Sequence, residues 1–175
     1  MILVAGVGYQ HLSDLSFGPK LVERLRGLDW PDDVRVEDFG YGPIAILDWF
    51  EESPGKKFER AILAGAVERG RTPGTLVTYA WLESSPDPEL VQERVSEALT
   101  GVISLDNLLI VAQHFGALPP NTSVVELEPV EKEWGSELSA PCEERLEEAV
   151  QWIRREVHSG GGHTGNGRHK EVRNT

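Results

Sequence analysis

Along the chain, short continuous apolar runs alternate with stretches in which apolar residues recur at helical spacing. Ile2-Leu3-Val4-Ala5, running into Gly6-Val7-Gly8, predicts a buried strand that feeds a tight turn. Beyond a loop, Phe17-Gly18-Pro19 leads into Leu21, Val22, Leu25 and Leu28, which fall on one face of a helix, with Pro19 tolerated in its first turn. The unit then repeats. Val34-Arg35-Val36-Glu37-Asp38 predicts a second strand closed by Phe39-Gly40-Tyr41-Gly42, and Pro43 opens a helix carrying Ile44, Leu47 and Phe50. Arg60 to Ala64 predicts a third strand, and Thr75 to Trp81, after Pro73-Gly74, a fourth. Two helical stretches follow between Pro88 and Gly116: Leu90, Val91, Val95 and Ala98, then Leu105, Leu108, Leu109 and Ala112, with Ser104 as N-cap of the second. Val124-Val125-Glu126-Leu127 predicts a fifth strand. A last helix starts after Ser139, with Leu146, Ala149, Val150, Ile153 and Val157 on one stripe and Glu143 and Glu144 at its positive end.

Strands alternating with helices predict an α/β fold, a mostly parallel sheet covered on both faces. One domain over residues 1–158 and a flexible glycine-rich tail over 159–175 account for the whole length. In such folds ligands sit at the carboxyl ends of the strands, so the loops after Ala5, Asp38, Ala64 and Leu127 are where chemistry is expected.

Composition narrows the field. Against 29 acidic residues stand 17 basic ones, a formal net charge of −12 that repels a phosphate backbone and an anionic bilayer. Nucleic acid and membrane are therefore not expected partners. The single cysteine, Cys142, rules out an intramolecular disulfide and a cysteine zinc cluster, and with no signal-peptide pattern at Met1 to Val7 the expected compartment is cytoplasmic.

The candidate chemistry is sparse. Gly6-x-Gly8 invites comparison with a dinucleotide fingerprint, but His11 stands where the third glycine belongs and the helix begins too late to meet a phosphate. Cys142 lies at a helix start whose dipole favours a thiolate, yet no histidine follows nearby, and packing is the simpler reading. His114 reads as a helix C-terminal residue, and His163 and His169 fall in the tail, so no zinc spacing exists. Three acids are better placed. Asp14 lies in the loop after the first strand, Asp38 ends the second strand and Asp106 occupies the first turn of a helix, so they and His11 are the cleft candidates. The plain alternatives are loop solvation for Asp14, turn formation for Asp38 and helix-dipole pairing for Asp106.

From Ile2 to about Val157 the order of these motifs resembles the nickel–iron hydrogenase maturation peptidases. The opening Ile2 to Gly8 is similar to the family's apolar strand and Gly-x-Gly-Asn start, and Asp14 with Gly18 to its acidic loop. Val36-Glu37-Asp38 with Gly40 resembles its strand-Asp-Gly segment, and Pro73-Gly74-Thr75 its Pro-Gly-Thr. Ser104-Leu105-Asp106 falls where the family has Ser-Pro-His, and Pro129 ends the fifth strand as a proline does there. The resemblance implies a three-layer αβα sandwich around a twisted five-stranded sheet. It also implies a hydrogenase large subunit as partner, whose nickel-loaded precursor such peptidases recognise and trim at the C-terminus. The family's metal-binding glutamate, aspartate and histidine fall here on Leu15, on Gly65 (Ala64 if aligned from Pro73) and on Asp106, and Tyr9 replaces the asparagine. Nickel needs nitrogen, oxygen or sulfur donors, so two of three ligands are gone. What is expected is a non-catalytic assembly or docking factor with no cofactor of its own, the nickel belonging to the precursor. The alternatives are an active endopeptidase with ligands re-sited on Asp14, Asp106 and His11, and a small-ligand module on the Gly6–Gly8 turn.

Overall fold

The structure, a computed structural model, describes residues 1–51, 58–82 and 87–159. The predicted tail from residue 160 onward, with His163 and His169, lies outside the described residues. Five strands, β1 (Ile2–Val7), β2 (Val34–Phe39), β3 (Arg60–Ala66), β4 (Leu76–Trp81) and β5 (Asn121–Leu127), form one sheet in the order β2-β1-β3-β5-β4. All neighbours are parallel except β4, which runs antiparallel on β5 at the edge.

Strand periodicity divides the core in two. Val4, Ile62, Val125 and Leu127 point to one face, against Phe17, Leu21 and Leu25 of α1 (Phe17–Arg26) and Leu146, Ala149 and Ile153 of α5 (Ala140–His158). Leu3, Ala5, Leu63 and Val124 point to the other. That face packs on Ile46 of α2 (Pro43–Glu51) and on Leu105, Leu108 and Leu109 of α4 (Leu105–His114). In α2 the fully buried side chain is Ile46, while Ile44, Leu47 and Phe50 are half-buried; the helix turns Phe50 and Trp49 into an edge-on aromatic cluster with Phe39. The remaining helix, α3 (Pro88–Leu99), packs on α4 rather than on the sheet, and Asp87 caps it by accepting from Glu89 N at 3.0 Å. Ser104 occupies the N-cap position of α4, but its hydroxyl makes no capping hydrogen bond.

The predicted turn at Gly6 is strand instead. β1 continues to Val7 because α1 crosses it at contact distance: a Cβ on Gly6 would lie 2.1 Å from the Gly18 carbonyl oxygen, and one on Gly18 would lie 2.3 Å from that of Val7. Two glycines let strand and helix touch, which explains the first without any nucleotide. Among the described residues no helix is long and apolar enough to cross a membrane.

Candidate functional site

The strand order determines where a cleft opens. From β1 the chain leaves toward β2 on one side, and from β3 it leaves toward β4 on the other, so the connections diverge above the carboxyl ends of the neighbours β1 and β3. A cleft of about 210 Å³ lies there. Val7, Gly8 and Tyr9 after β1, Leu15, Ala66 to Glu68 after β3, and Val102 to Leu105 ahead of α4 line it. Its polar groups are few. The Tyr9 hydroxyl accepts from Ile103 N at 3.1 Å, tying the β1 loop to the approach to α4, and Glu68 is ion-paired with Lys132 at 2.5 Å.

The three positions that the resemblance singles out surround this cleft without forming a metal site. Leu15 is part of the lining and has no donor atom. At Gly65 the space is already filled: a Cβ there would stand 2.8 Å from the Val7 carbonyl oxygen and 3.1 Å from Leu105 Cβ. Asp106 keeps a carboxylate, but Arg69 Nη2 donates to its Oδ1 at 2.5 Å and Arg94 Nη2 stands 3.9 Å from Oδ2. Among the described residues no group of three or more histidine, cysteine, aspartate or glutamate side chains is arranged to hold a metal ion. The donor set does not fit nickel.

The cleft candidates are not brought together. Asp14 is fully buried and spends its carboxylate on the loop between β5 and α5: Oδ2 accepts from Val130 N (2.9 Å), Glu131 N (2.7 Å) and the Ser139 hydroxyl (2.8 Å), and Oδ1 from Ser139 N (2.8 Å). Burial alone pushes this carboxyl up, but the hydrogen bonds from Glu131, Ser139 and Val130 outweigh it and hold the group below the ordinary aspartate value. A carboxylate with four donors is a clasp, and swinging it toward a metal would strand all four. Asp38 accepts from Gly40 N at 2.9 Å, closing the turn after β2. The His11 ring lies tilted beside Trp134, ring centroids 6.0 Å apart. His114 sits in the last turn of α4, edge-on to Phe115. Cys142 is buried in the core in the first turn of α5, and burial, with the Asp14 carboxylate beside it, pushes the thiol up rather than down.

Sequence reasoning missed the main polar feature, which lies next to the cleft. Glu126 on β5 is fully buried, yet Arg69 Nη2 (3.2 Å) and Nε (3.3 Å), Arg71 Nη1 (2.5 Å) and the Tyr79 hydroxyl (2.9 Å) converge on it. Burial opposes its charge, but Arg69, Arg71 and Tyr79 keep its carboxyl below the ordinary glutamate value. The same pairing raises Arg69 through Asp106 and Glu126 despite burial, and burial together with Glu126 raises Tyr79. Arg69 links Glu126 to Asp106, and Arg94 joins α3 to the cluster by donating to Asn107 Oδ1 at 3.3 Å. Glu128 holds the loop end by accepting from Arg69 N (2.9 Å) and Gly70 N (3.1 Å). One signal was legible: a glutamate in the middle of Val124-Val125-Glu126-Leu127 needs a cationic partner when both faces of the sheet are covered.

No protein-family model matches the chain. A curated relative, the hydrogenase expression/formation protein HupD of Rhodobacter capsulatus, is 29% identical over 162 residues, covering 91% of this chain and 72% of the relative. Among solved structures, the hydrogenase 2 maturation peptidase from Thaumarchaeota archaeon SCGC_AB-539-E09 superposes with a TM-score of 0.63 at 28% identity, covering 90% of this chain and 97% of its own. The hydrogenase maturating endopeptidase HybD from E. coli shares the fold, with a TM-score of 0.66 at 24% identity over 91% of this chain and 93% of its own.

Proposed function

From a kinship in sequence and fold with the nickel–iron hydrogenase maturation peptidases, we propose that this chain acts in maturation of the hydrogenase large subunit as a docking or assembly factor that does not cut its partner. The observation that carries the reading is the pairing of a retained cleft with a wall that cannot hold nickel. A cleft lies at the switch point, at the ends of β1 and β3, and Leu15, the filled space at Gly65 and the arginine-bound Asp106 stand where the resemblance would put metal donors. Losing even an outer-shell partner of a metal ligand commonly weakens affinity or activity by about ten- to a hundredfold, and here donor atoms themselves are lacking. A cleft of this kind offers shape and apolar surface to a peptide segment, which is what docking needs.

The test mixes the full chain with a purified large-subunit precursor, with and without its C-terminal extension, and follows association and cleavage separately, beside a nickel titration of the chain alone. Association, an intact extension and no saturable nickel binding at micromolar concentration are expected. Absence of association with either form overturns the docking reading. Removal of the extension, abolished by Asp106→Ala with thermal unfolding unchanged, would establish the re-sited endopeptidase in its place.

A further inference from the structure

Trp134 is 81% exposed, on a loop that has no freedom to hide it. The loop from Glu128 to Ser139 is fastened along its length to the segment between β1 and α1. Asp14 holds Val130, Glu131 and Ser139 as described above. Ser13 N donates to Gly135 O at 3.0 Å, Gly135 N donates to His11 O at 3.1 Å, and the Ser13 hydroxyl donates to Glu133 O at 2.9 Å. The backbone on both sides of Trp134 is thus pinned, which fixes where the indole leaves the loop. The His11 ring flanks it, and Val130, 40% exposed, adds apolar surface on the same loop. Around it stand the exposed acids Glu131, Glu133 and Glu137. Lys132, the one base of the loop, is committed to Glu68, a residue of the cleft lining. Knob and cleft are therefore joined by an ion pair and belong to one face.

We propose that Trp134 is the anchor of the docking face, entering an apolar socket bordered by lysine or arginine on the large subunit. The inference rests on the docking reading and names the contact that reading lacks. Tryptophans of this kind dominate binding energy when they enter a desolvated pocket, and a loop backbone held in place beforehand lowers the ordering cost of association. The acidic surround selects a basic rim and speeds encounter with it. The buried Asp14 then has a purpose beyond stability: it sets the position of the knob.

The experiment measures affinity of the full chain for the purified large-subunit precursor by calorimetry, for wild type, Trp134→Ala, Trp134→Phe and Leu99→Ala. Leu99, at the end of α3, is exposed to a similar degree, at 72%, and serves as the control. Trp134→Ala is expected to weaken binding at least tenfold with its thermal unfolding unchanged, Trp134→Phe to recover part of the loss, and Leu99→Ala to bind as wild type does. If wild type binds and Trp134→Ala stays within twofold of it, or if Leu99→Ala loses as much, the anchor is refuted while docking stands. If wild type does not bind, docking fails and the anchor fails with it. Should Trp134→Ala unfold, the Phe variant decides: an affinity clearly below that of wild type and of Leu99→Ala supports the anchor, and an affinity within twofold of both refutes it.

Discussion

Gly65 and Glu126 are register partners across β3 and β5, and their neighbourhoods are built on opposite terms. At Gly65 there is no side chain at all, and Leu105 and the Val7 carbonyl close the space a carboxylate would need. One strand over, Glu126 is buried under two guanidinium groups and a phenol, with Asp106 attached through Arg69. Both positions lie at the carboxyl edge of the sheet, where polar groups from different elements converge in α/β folds. The contrast shows that this edge has kept its charge but turned it inward. Its carboxylates are matched to the chain's own arginines.

The largest effect is expected from breaking the inward side. Glu126→Ala leaves Arg69 and Arg71 half-buried without their shared counter-ion, and removing one member of a buried ion pair costs about 3–5 kcal/mol. Chemical denaturation should report a loss in that range and, through Arg69, loosening of Asp106 at the start of α4. A loss under about 1 kcal/mol would mean that the arginines rehydrate freely, as at a surface pair, and that the cluster is no clasp.

Next comes the clasp on the other wall of the cleft. Asp14→Asn keeps the shape but halves the acceptor capacity and removes the charge, and hydrogen bonds to a charged group contribute about 1.5–3 kcal/mol. The folded-state carboxyl titrates below the unfolded value, near 3.9 for aspartate. Its stabilisation is therefore complete above about pH 4 and is lost as pH falls through the lowered value. Urea midpoints at pH 7 should separate wild type from Asp14→Asn by about 2 kcal/mol, and the gap should close as the pH falls from 4 toward 2. A gap that persists unchanged in acid would mean that the charge of Asp14 contributes nothing and that shape alone holds the loop.

Much of this fold was legible in the chain. The continuous apolar runs located β1, β3 and β5, and the helical stripes located α1, α4 and α5, because elements packed on both sides carry a periodicity that burial enforces. Gly6 was misread as a turn because a glycine in a strand looks the same whether the chain bends there or a helix crosses it, and the second glycine of the contact, Gly18, is remote in sequence. The site was legible only by subtraction: Leu15 and Gly65 lack donors on the face of the sequence. Asp14 in a loop, Asp38 at a strand end and Asp106 at a helix start can each approach one edge of the sheet, but sequence proximity to an edge says nothing of which donors a carboxylate meets. Asp14 met backbone N–H groups from residues 130, 131 and 139, a contact fixed by tertiary packing alone. The Arg69–Glu126–Tyr79 cluster draws on three elements and has no local pattern beyond the lone glutamate in an apolar strand.

The smallest effect, and the one that addresses the comparison most directly, comes from returning a carboxylate to the emptied side. In Gly65→Asp the new Cβ meets a backbone carbonyl at 2.8 Å, which cannot rotate away, and Leu105 Cβ at 3.1 Å, so β1 or the start of α4 must shift. Overpacking of this kind costs about 1–3 kcal/mol, and because no rotamer change moves either atom the adjustment falls on the backbone. A nickel titration of the variant should stay flat even so, because Asp106 is still held by Arg69 and Leu15 still offers no atom to a metal. Gly65→Asp combined with Arg69→Met frees Asp106 and is the variant in which weak nickel uptake first becomes possible. Saturable micromolar binding by Gly65→Asp alone would show that the arginine does not lock Asp106 away. The contrast between an emptied wall and an inward-turned charge would then be one of degree, with a single substitution separating them.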